Sequence, residues 1–256
     1  MPRPPRSRAP SAAAWLALSS AALAVPVAHA DWTGKGEGGL LLSRGNSEAT
    51  SGNVKLDLSR EGEAWTHKAA LAALYGRNAE FANAQRYEAR YELRRELGAR
   101  TFAFGSLRGE RDLFSGFEYQ ATLSGGLGRK FIDTERTQLT GTLGAGYRRL
   151  RPQQLVKLDS GEVIRRIPGD ATGDAVATAG LDYGNQLTAT TRVTNKLLVE
   201  AGSENTSVAN DLALVVSMTD RLALSAGYGV RYNTDPAPNT KKTDQVTTLN
   251  LVYKIE

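Results

Sequence analysis

The sequence contains no cysteine and only two histidines among its 256 residues. Without cysteine the protein has no disulfide bond, no thiol nucleophile and no cysteine-ligated zinc. The mean hydropathy is also low, at −0.36, which argues against a bundle of membrane-spanning helices. It leaves a membrane β-barrel open, because the strands of such a barrel are apolar on only one face.

Net charge is small once the N-terminal segment is set aside. The formal net charge is +5, and Arg3, Arg6 and Arg8 contribute three of these charges within the first thirty residues, which contain no acidic residue. The remaining chain therefore carries a net charge of +2. Nucleic-acid binding normally requires a stronger basic patch, so we expect no nucleic-acid partner.

The first thirty residues are organised like a secretory signal peptide. A basic, proline-rich segment precedes the apolar stretch Ala12–Val27, and Ala28-His29-Ala30 forms a small-x-small cleavage site. Pro26 interrupts the apolar stretch before it reaches the ~20 residues that a membrane span needs. The sequence therefore predicts that residues 1–30 are a cleaved signal peptide and that residues 31–256 form a single exported domain.

Alternation with a period of two dominates this exported segment. In residues 86–94 the odd positions are apolar, whereas the even positions are charged: Arg86, Glu88, Arg90, Glu92 and Arg94. A strand places all five charges on one face, whereas a helix would spread them around its surface. The same alternation recurs in about twelve segments of roughly 9–14 residues, close to the length of a tilted transmembrane strand. We therefore predict an all-β, antiparallel transmembrane barrel of the outer-membrane type, with about 12 strands.

The connections between these segments alternate between short and long. Short turns are predicted at Arg60–Glu63, Gly98–Arg100, Asp133–Thr137, Gly184–Gln186 and Thr219–Arg221. The longest connection is predicted to be a loop, Arg149–Gly173. Short turns at one end and long loops at the other are typical of outer-membrane barrels, in which both termini lie at the short-turn end.

One segment, Thr101–Arg111, does not alternate cleanly. Its composition is that of a strand, but Phe102 and Phe104 share a face with Arg108 and Glu110. An extra residue in a strand reverses which face the following residues occupy, so this mixture predicts a β-bulge within the segment.

Two sets of candidate functional residues follow from the alternation. The polar face supplies the candidate lumen-lining residues, which are Arg86, Glu88, Arg90, Glu92, Arg94, Arg192, Lys196, Glu200 and Arg231. The apolar face carries all nine tyrosines, several of them near strand ends where an interfacial aromatic girdle is expected. The candidate girdle residues are Trp65, Tyr75, Tyr87, Tyr91, Tyr119, Tyr147, Tyr183, Tyr228, Tyr232 and Tyr253.

Four short segments resemble a known family. They are Gly38–Ser47, Arg108–Gly116, Gly125–Gly128 and Gly144–Arg148. With these segments the exported chain is similar to a family of salt-induced outer-membrane proteins, the domain of unknown function 481. The resemblance implies an outer-membrane β-barrel with no assigned chemistry, and it supplies no catalytic residue.

Catalytic and cofactor sites are not indicated. After cleavage His67 is the remaining histidine, and it alternates in phase with Trp65 and Ala69, so a lipid-interface position is expected. No calcium-loop motif is present. Glycines such as Gly125-Gly126 lie within strands, where they allow close packing or bending and do not form a phosphate loop. We expect no enzyme activity, no cofactor and no metal.

The charged face of residues 86–94 has two interpretations. It could line a pore, or it could fill a narrow barrel through cross-strand ion pairs, for which Arg108, Glu110, Arg192, Lys196, Glu200 and Arg231 could supply partners. The predicted function is a structural or narrow passive-pore role in the cell outer membrane, with outer-membrane lipid, lipopolysaccharide and the barrel-assembly machinery as partners. The alternative is a soluble periplasmic β-barrel that binds a small or lipidic ligand. This alternative requires apolar residues inside the barrel and charges outside, so the direction of each face distinguishes the two.

Overall fold

The computed structural model describes residues 32–44, 49–77, 82–158, 160–203, 205–236 and 241–255. The predicted signal peptide lies outside these residues. Among the described residues no helix is long and apolar enough to cross a membrane. The strands of the described part are β1 (Trp32–Arg44), β2 (Ala49–Glu61), β3 (Trp65–Arg77), β4 (Ala82–Glu96), β5 (Thr101–Asp112), β6 (Phe117–Asp133), β7 (Thr137–Lys157), β8 (Val163–Pro168), β9 (Thr172–Gln186), β10 (Thr191–Gly202), β11 (Thr206–Ser217), β12 (Leu222–Asn233) and β13 (Thr243–Ile255).

Twelve of these strands close into one antiparallel barrel. Each pairs with its neighbour along the chain, except that β7 pairs with β9, and the barrel closes where β1 pairs with β13. Among the described strands, β8 pairs with the end of β7 and with no other. Closure pairs each of these twelve strands on both sides, which is what a sheet needs in order to cross lipid. The predicted fold of about 12 antiparallel strands is confirmed.

The apolar face of the sheet points outward and the polar face points into the barrel. Leu143 and Leu249 on the outer face are 71% and 66% exposed, whereas Arg148 and Asn250 on the inner face are each 2% exposed. A large apolar surface facing outward requires an apolar surrounding such as lipid. The soluble alternative predicts apolar residues inside the barrel and charged residues outside. The strands have the opposite arrangement, so this alternative is wrong.

The two ends of the barrel differ. Short connections follow β2, β4, β6, β9 and β11, and this end, which also holds residues 32 and 255, is the short-turn rim. The other end, where longer connections follow β7 and β12, is the long-loop rim. The turn predicted at Gly184–Gln186 is displaced, because β9 continues through Gln186 and the turn occupies residues 187–190.

The prediction of a long loop at Arg149–Gly173 is wrong for most of these residues, because they form strands. β7 continues to Lys157 and forms a hairpin with β8 that extends beyond the barrel wall. The hairpin is held to the β5–β6 connection, where Gln153 Nε2 donates to the carbonyl oxygens of Asp112, Ser115 and Phe117 at 3.0–3.1 Å. It therefore forms part of the wall around the long-loop mouth.

The bulge predicted in Thr101–Arg111 is absent. β5 pairs with both β4 and β6 in unbroken register, so Phe102 and Phe104 face the interior with Arg108 and Glu110. Glycines on β6 and β7 make room for the two rings: a Cβ atom at Gly128 would lie 2.2 Å from the Phe102 ring, and one at Gly144 would lie 3.1 Å from Phe104. These glycines allow close packing, as predicted, and the aromatic pair belongs to the interior.

Candidate functional site: the charged lumen

Arg108 is the centre of an ion-pair cluster in the half of the lumen that lies nearer the long-loop rim. Arg108 on β5 donates from Nε to Glu88 Oε1 at 2.9 Å, from Nη2 to Glu110 Oε2 at 2.7 Å and from Nη1 to Glu200 Oε2 at 3.1 Å. Arg86 Nε joins the same group through Glu110 Oε1 at 2.7 Å. We call these five residues the Arg108 cluster. Burial makes such a cluster sensitive to the removal of any one partner, because the remaining charge is left uncompensated.

The Arg108 cluster crosses the barrel interior. Three strands, β6, β7 and β9, separate β5 from β10 around the wall. The bond from Arg108 to Glu200 therefore joins two walls that are not neighbours in the sheet. A direct side-chain bridge of this kind divides the lumen.

A second bridge lies closer to the short-turn rim. Glu92 accepts from Arg94 Nε at 2.5 Å and from Arg90 Nη2 at 3.3 Å, and Arg94 Nη2 reaches Asp182 Oδ2 on β9 at 3.8 Å. The Arg94 guanidinium also lies over the Phe102 ring, 4.5 Å from its centroid. The side chains that make this cation–π contact and these ion pairs fill the half of the barrel that β4–β7, β9 and β10 enclose.

The other predicted lumen residues have separate positions. Arg192 donates to Gln138 Oε1 at 2.7 Å near the short-turn rim, and Arg231 pairs with Asp211 at 2.9 Å. Lys196 faces the lumen and is exposed. The structure thus brings Arg86, Glu88 and Glu200 into one cluster and leaves Arg192, Lys196 and Arg231 outside it.

Two larger cavities lie elsewhere in the interior that the described residues enclose. A vestibule of about 790 Å³ opens near the long-loop rim, and a crevice of about 270 Å³ lies between the walls formed by β1–β4 and β10–β13. Arg86 and Arg231 line both cavities. On the filled side, a cavity of about 20 Å³ lies between Arg90, Arg108 and Glu200. Of these cavities, the crevice is the larger space beyond the vestibule.

Charge in the crevice is mixed but not balanced. The charged residues that line it are Lys35, Lys55, Arg86, Arg90, Lys196, Arg231, Glu37, Asp57, Glu88 and Asp211. Lys35 pairs with Glu37 and lies 3.8 Å from Asp57. Lys55 and Lys196 have no ion pair with any residue in the described part of the chain. Arg86 and Arg90 pair with Glu110 and Glu92, which lie outside this lining, so the unpaired positive charge of the crevice is that of Lys55 and Lys196.

The candidate girdle residues all lie on the outer face. Near the long-loop rim are Tyr75, Tyr87, Tyr119, Tyr147 and Tyr232. Near the short-turn rim are Trp65, Tyr183 and Tyr253. Tyr91 and Tyr228 lie nearer the middle of their strands, and His67 Nδ1 is 2.7 Å from the Tyr91 hydroxyl on this outer face. No cluster of metal-ligating side chains occurs among the residues that the structure describes.

Arg148 is a functional candidate that neither candidate set includes, whereas Arg108 and Glu110 are expected from the sequence only as possible ion-pair partners of the charged face of residues 86–94. Arg148 is 2% exposed and pairs with Asp174 at 3.1 Å, while its guanidinium also donates to the Asn205 carbonyl oxygen at 2.9 Å. The alternation of β7 would have placed Arg148 on the inner face. Arg108 and Glu110 pair with Glu88 and Arg86 of that charged face, and the aromatic residues beside them are what left the register of β5 unpredicted.

Comparison with known proteins agrees with this architecture. The family model described as protein of unknown function, DUF481, matches residues 36–255. The chain belongs to this family. A curated relative, the uncharacterized protein YdiY of Escherichia coli (strain K12), is 25% identical over 179 residues, which cover 68% of this chain and 63% of the relative. The family description assigns no activity.

Two solved structures have the same type of fold. A NanC porin is 11% identical, with 88% of this chain and 100% of that chain covered and a TM-score of 0.50. The translocator domain of the autotransporter NalP from Neisseria meningitidis is 15% identical, with 91% of each chain covered and a TM-score of 0.50. This DUF481 chain is thus a β-barrel of the outer-membrane type, and the two likenesses concern the fold alone.

Proposed function

We propose that this protein is exported by its signal peptide, inserts into the outer membrane and forms a narrow passive pore for small solutes. The observation that carries the pore is that two lumen cavities, the vestibule and the crevice, are lined by the same two arginines, Arg86 and Arg231. The outward apolar face, with tyrosines near both rims, supports membrane insertion. Insertion would require the barrel-assembly machinery, and outer-membrane lipid and lipopolysaccharide would surround the barrel.

The filled half of the barrel limits the size of the solute. The bridges from Arg108 to Glu200 and from Arg94 to Asp182 obstruct one side of the lumen. Passage would then be confined to the crevice, which suits ions and small polar molecules better than large ones. The two unpaired lysines, Lys55 and Lys196, would give the pore a modest preference for anions.

A structural role with a closed lumen is the second candidate. The density of ion pairs across the interior favours it, because Arg108 alone binds three carboxylates from two opposing walls. A closed barrel would give no current above that of an empty bilayer. Conductance therefore separates the two candidates.

The absence of cysteine allows a direct test of the pore. Ala72 and Ala73 are adjacent on β3, but Ala72 pairs with Lys55 and Glu88 on the inner face, whereas Ala73 pairs with Val54 and Tyr87 on the outer face. We expect the wild-type protein to conduct in a planar bilayer. A charged methanethiosulfonate reagent should lower the conductance of Ala72→Cys by at least about twofold and leave that of Ala73→Cys unchanged. A wild-type protein without conductance, or two variants with equal responses, would contradict the proposal.

A further inference from the structure

An open depression of about 730 Å³ lies on the outer face of β2–β6, next to the long-loop rim. Its floor consists of the small residues Ala89, Gly109 and Ala121, which are direct cross-strand neighbours. The neighbouring rows of the outer face carry larger side chains. Toward the long-loop rim these are Tyr87, Arg111 and Tyr119, and toward the short-turn rim they are Tyr91, Leu107 and Leu123. The depression is therefore apolar at its floor and amphipathic at the edge nearer the long-loop rim.

Two exposed arginines border the depression, Arg111 in this edge and Arg149 at the end of the floor row. Arg111 lies between Tyr87 and Tyr119, and Arg149 on β7 is the direct neighbour of Ala121. Neither arginine has an ion pair or a side-chain hydrogen bond with any residue that the structure describes. By contrast, the nearby Arg151 pairs with Glu118 at 3.3 Å. Two uncompensated guanidinium groups thus stand beside an apolar groove.

We propose that this depression binds a phosphate-bearing membrane lipid. One acyl chain would cover Ala89, Gly109 and Ala121, while Arg111 and Arg149 would bind the phosphate. Guanidinium groups bind phosphate through charge-assisted hydrogen bonds, and tyrosines lie at headgroup level in membrane barrels. The proposal rests on the outer face being in contact with lipid and is independent of whether the lumen conducts.

Charge complementarity favours a lipid over a second copy of the chain. A two-fold symmetric dimer would place the same patch of both copies face to face. Arg111 and Arg149 would then meet the arginines of the other copy, and like charges in an apolar setting repel. A lipid phosphate has the opposite charge and resolves this conflict.

Native mass spectrometry of the full purified barrel, titrated with phosphatidylglycerol in detergent, tests the headgroup contact. We expect one tightly retained lipid, and we expect R111Q/R149Q to weaken its binding by about tenfold or more. The control is R129Q, which removes an exposed arginine of the outer face near the opposite rim. Diacylglycerol, which lacks the phosphate, should bind no better to the wild type than to R111Q/R149Q.

The floor of the depression is tested by a matched pair of glycine substitutions. Gly109 and Gly105 both lie on the outer face of β5, and a Cβ atom at either position would meet no atom within 4 Å, so both variants are expected to fold. Gly109→Leu should fill the depression and weaken lipid retention, whereas Gly105→Leu should not. Equal retention by wild type and R111Q/R149Q, equal effects of the two leucine variants, or a dimer that Gly109→Leu abolishes would overturn the proposal.

Discussion

Arg108 depends on its carboxylate partners because it lies in an enclosed, polar interior. Its three carboxylate contacts come from β4, β5 and β10, so it connects local strand pairing to contacts across the barrel. Glu88 and Glu92 have similar roles at two heights, since each accepts from two arginines. The arginine-glutamate alternation of β4 is therefore a set of mutually compensating charges.

Replacing both acidic residues of β4 should destabilise the barrel. The double variant E88Q/E92Q removes two negative charges and leaves Arg86, Arg90 and Arg108 with weaker acceptors. We expect the free energy of unfolding to fall by about 2–4 kcal/mol, because the remaining buried charges lose compensation. The measurement is denaturant-induced unfolding in detergent micelles.

A charge-matched control isolates the effect of burial. The variant E61Q/E135Q also removes two negative charges, but both residues are exposed at the short-turn rim. It should leave the unfolding midpoint nearly unchanged. If E88Q/E92Q has the same midpoint as this control, then the lumen is well hydrated and the ion pairs do not stabilise the fold.

At the scale of the strand, neighbouring residues face opposite sides of the barrel wall, one the outer surface and the next the lumen. On β11, Leu214 is 41% exposed on the outer face, while Ala213 lines the crevice. A similar comparison on β13 is less suitable, because Asn250 is 2% exposed and donates to Glu37 at 3.1 Å, so a larger side chain there would break a buried contact. β11 therefore offers the cleaner test of lipid contact.

Arginine substitutions on β11 should have unequal costs. Leu214→Arg should lower the stability of the inserted barrel by about 2–4 kcal/mol if the site lies near the middle of the bilayer. Ala213→Arg should cost much less, because the crevice holds Asp211 and space for a polar side chain. Both are measured by equilibrium unfolding in phospholipid bilayers. Equal costs would contradict a lipid-facing outer surface.

The β7–β8 hairpin provides a test of orientation. Its two strands extend beyond the barrel wall at the long-loop rim, and Lys157 and Arg165 are exposed. In outer-membrane barrels the longer loops face the exterior, so trypsin added to intact cells should cut within this hairpin. Cleavage that occurs only after the outer membrane is permeabilised would mean that the short-turn rim faces outward.

At the scale of the whole molecule, the sequence was sufficient to predict the barrel but not its interior. The alternation in β4 predicted which side chains share a face, because a strand's period of two is a local property. The contact between Arg108 and Glu200 is not local, since it depends on the stagger of two strands that have three other strands between them in the wall. The inward position of Phe102 likewise depends on Gly128 in the neighbouring strand.

The β7–β8 hairpin was missed for a related reason. Pro152, Gly161 and Pro168 lie within the segment and are typical of a loop. In the structure Gly161 is near the tip with a φ of 87°, and the two prolines lie within the strands that extend beyond the barrel wall. Proline is tolerated there because an edge strand does not need every backbone donor.

The central claim, that small solutes pass through a crevice with two uncompensated lysines, is tested most directly by ion selectivity. The measurement is the reversal potential across a planar bilayer under a salt gradient, for the wild type and K55Q/K196Q. The control is K157Q/K242Q, because these two lysines are exposed and do not line the crevice. We predict an anion preference in the wild type and the control, and its loss in K55Q/K196Q. Absence of conductance, or the same reversal potential in all three proteins, would contradict the account.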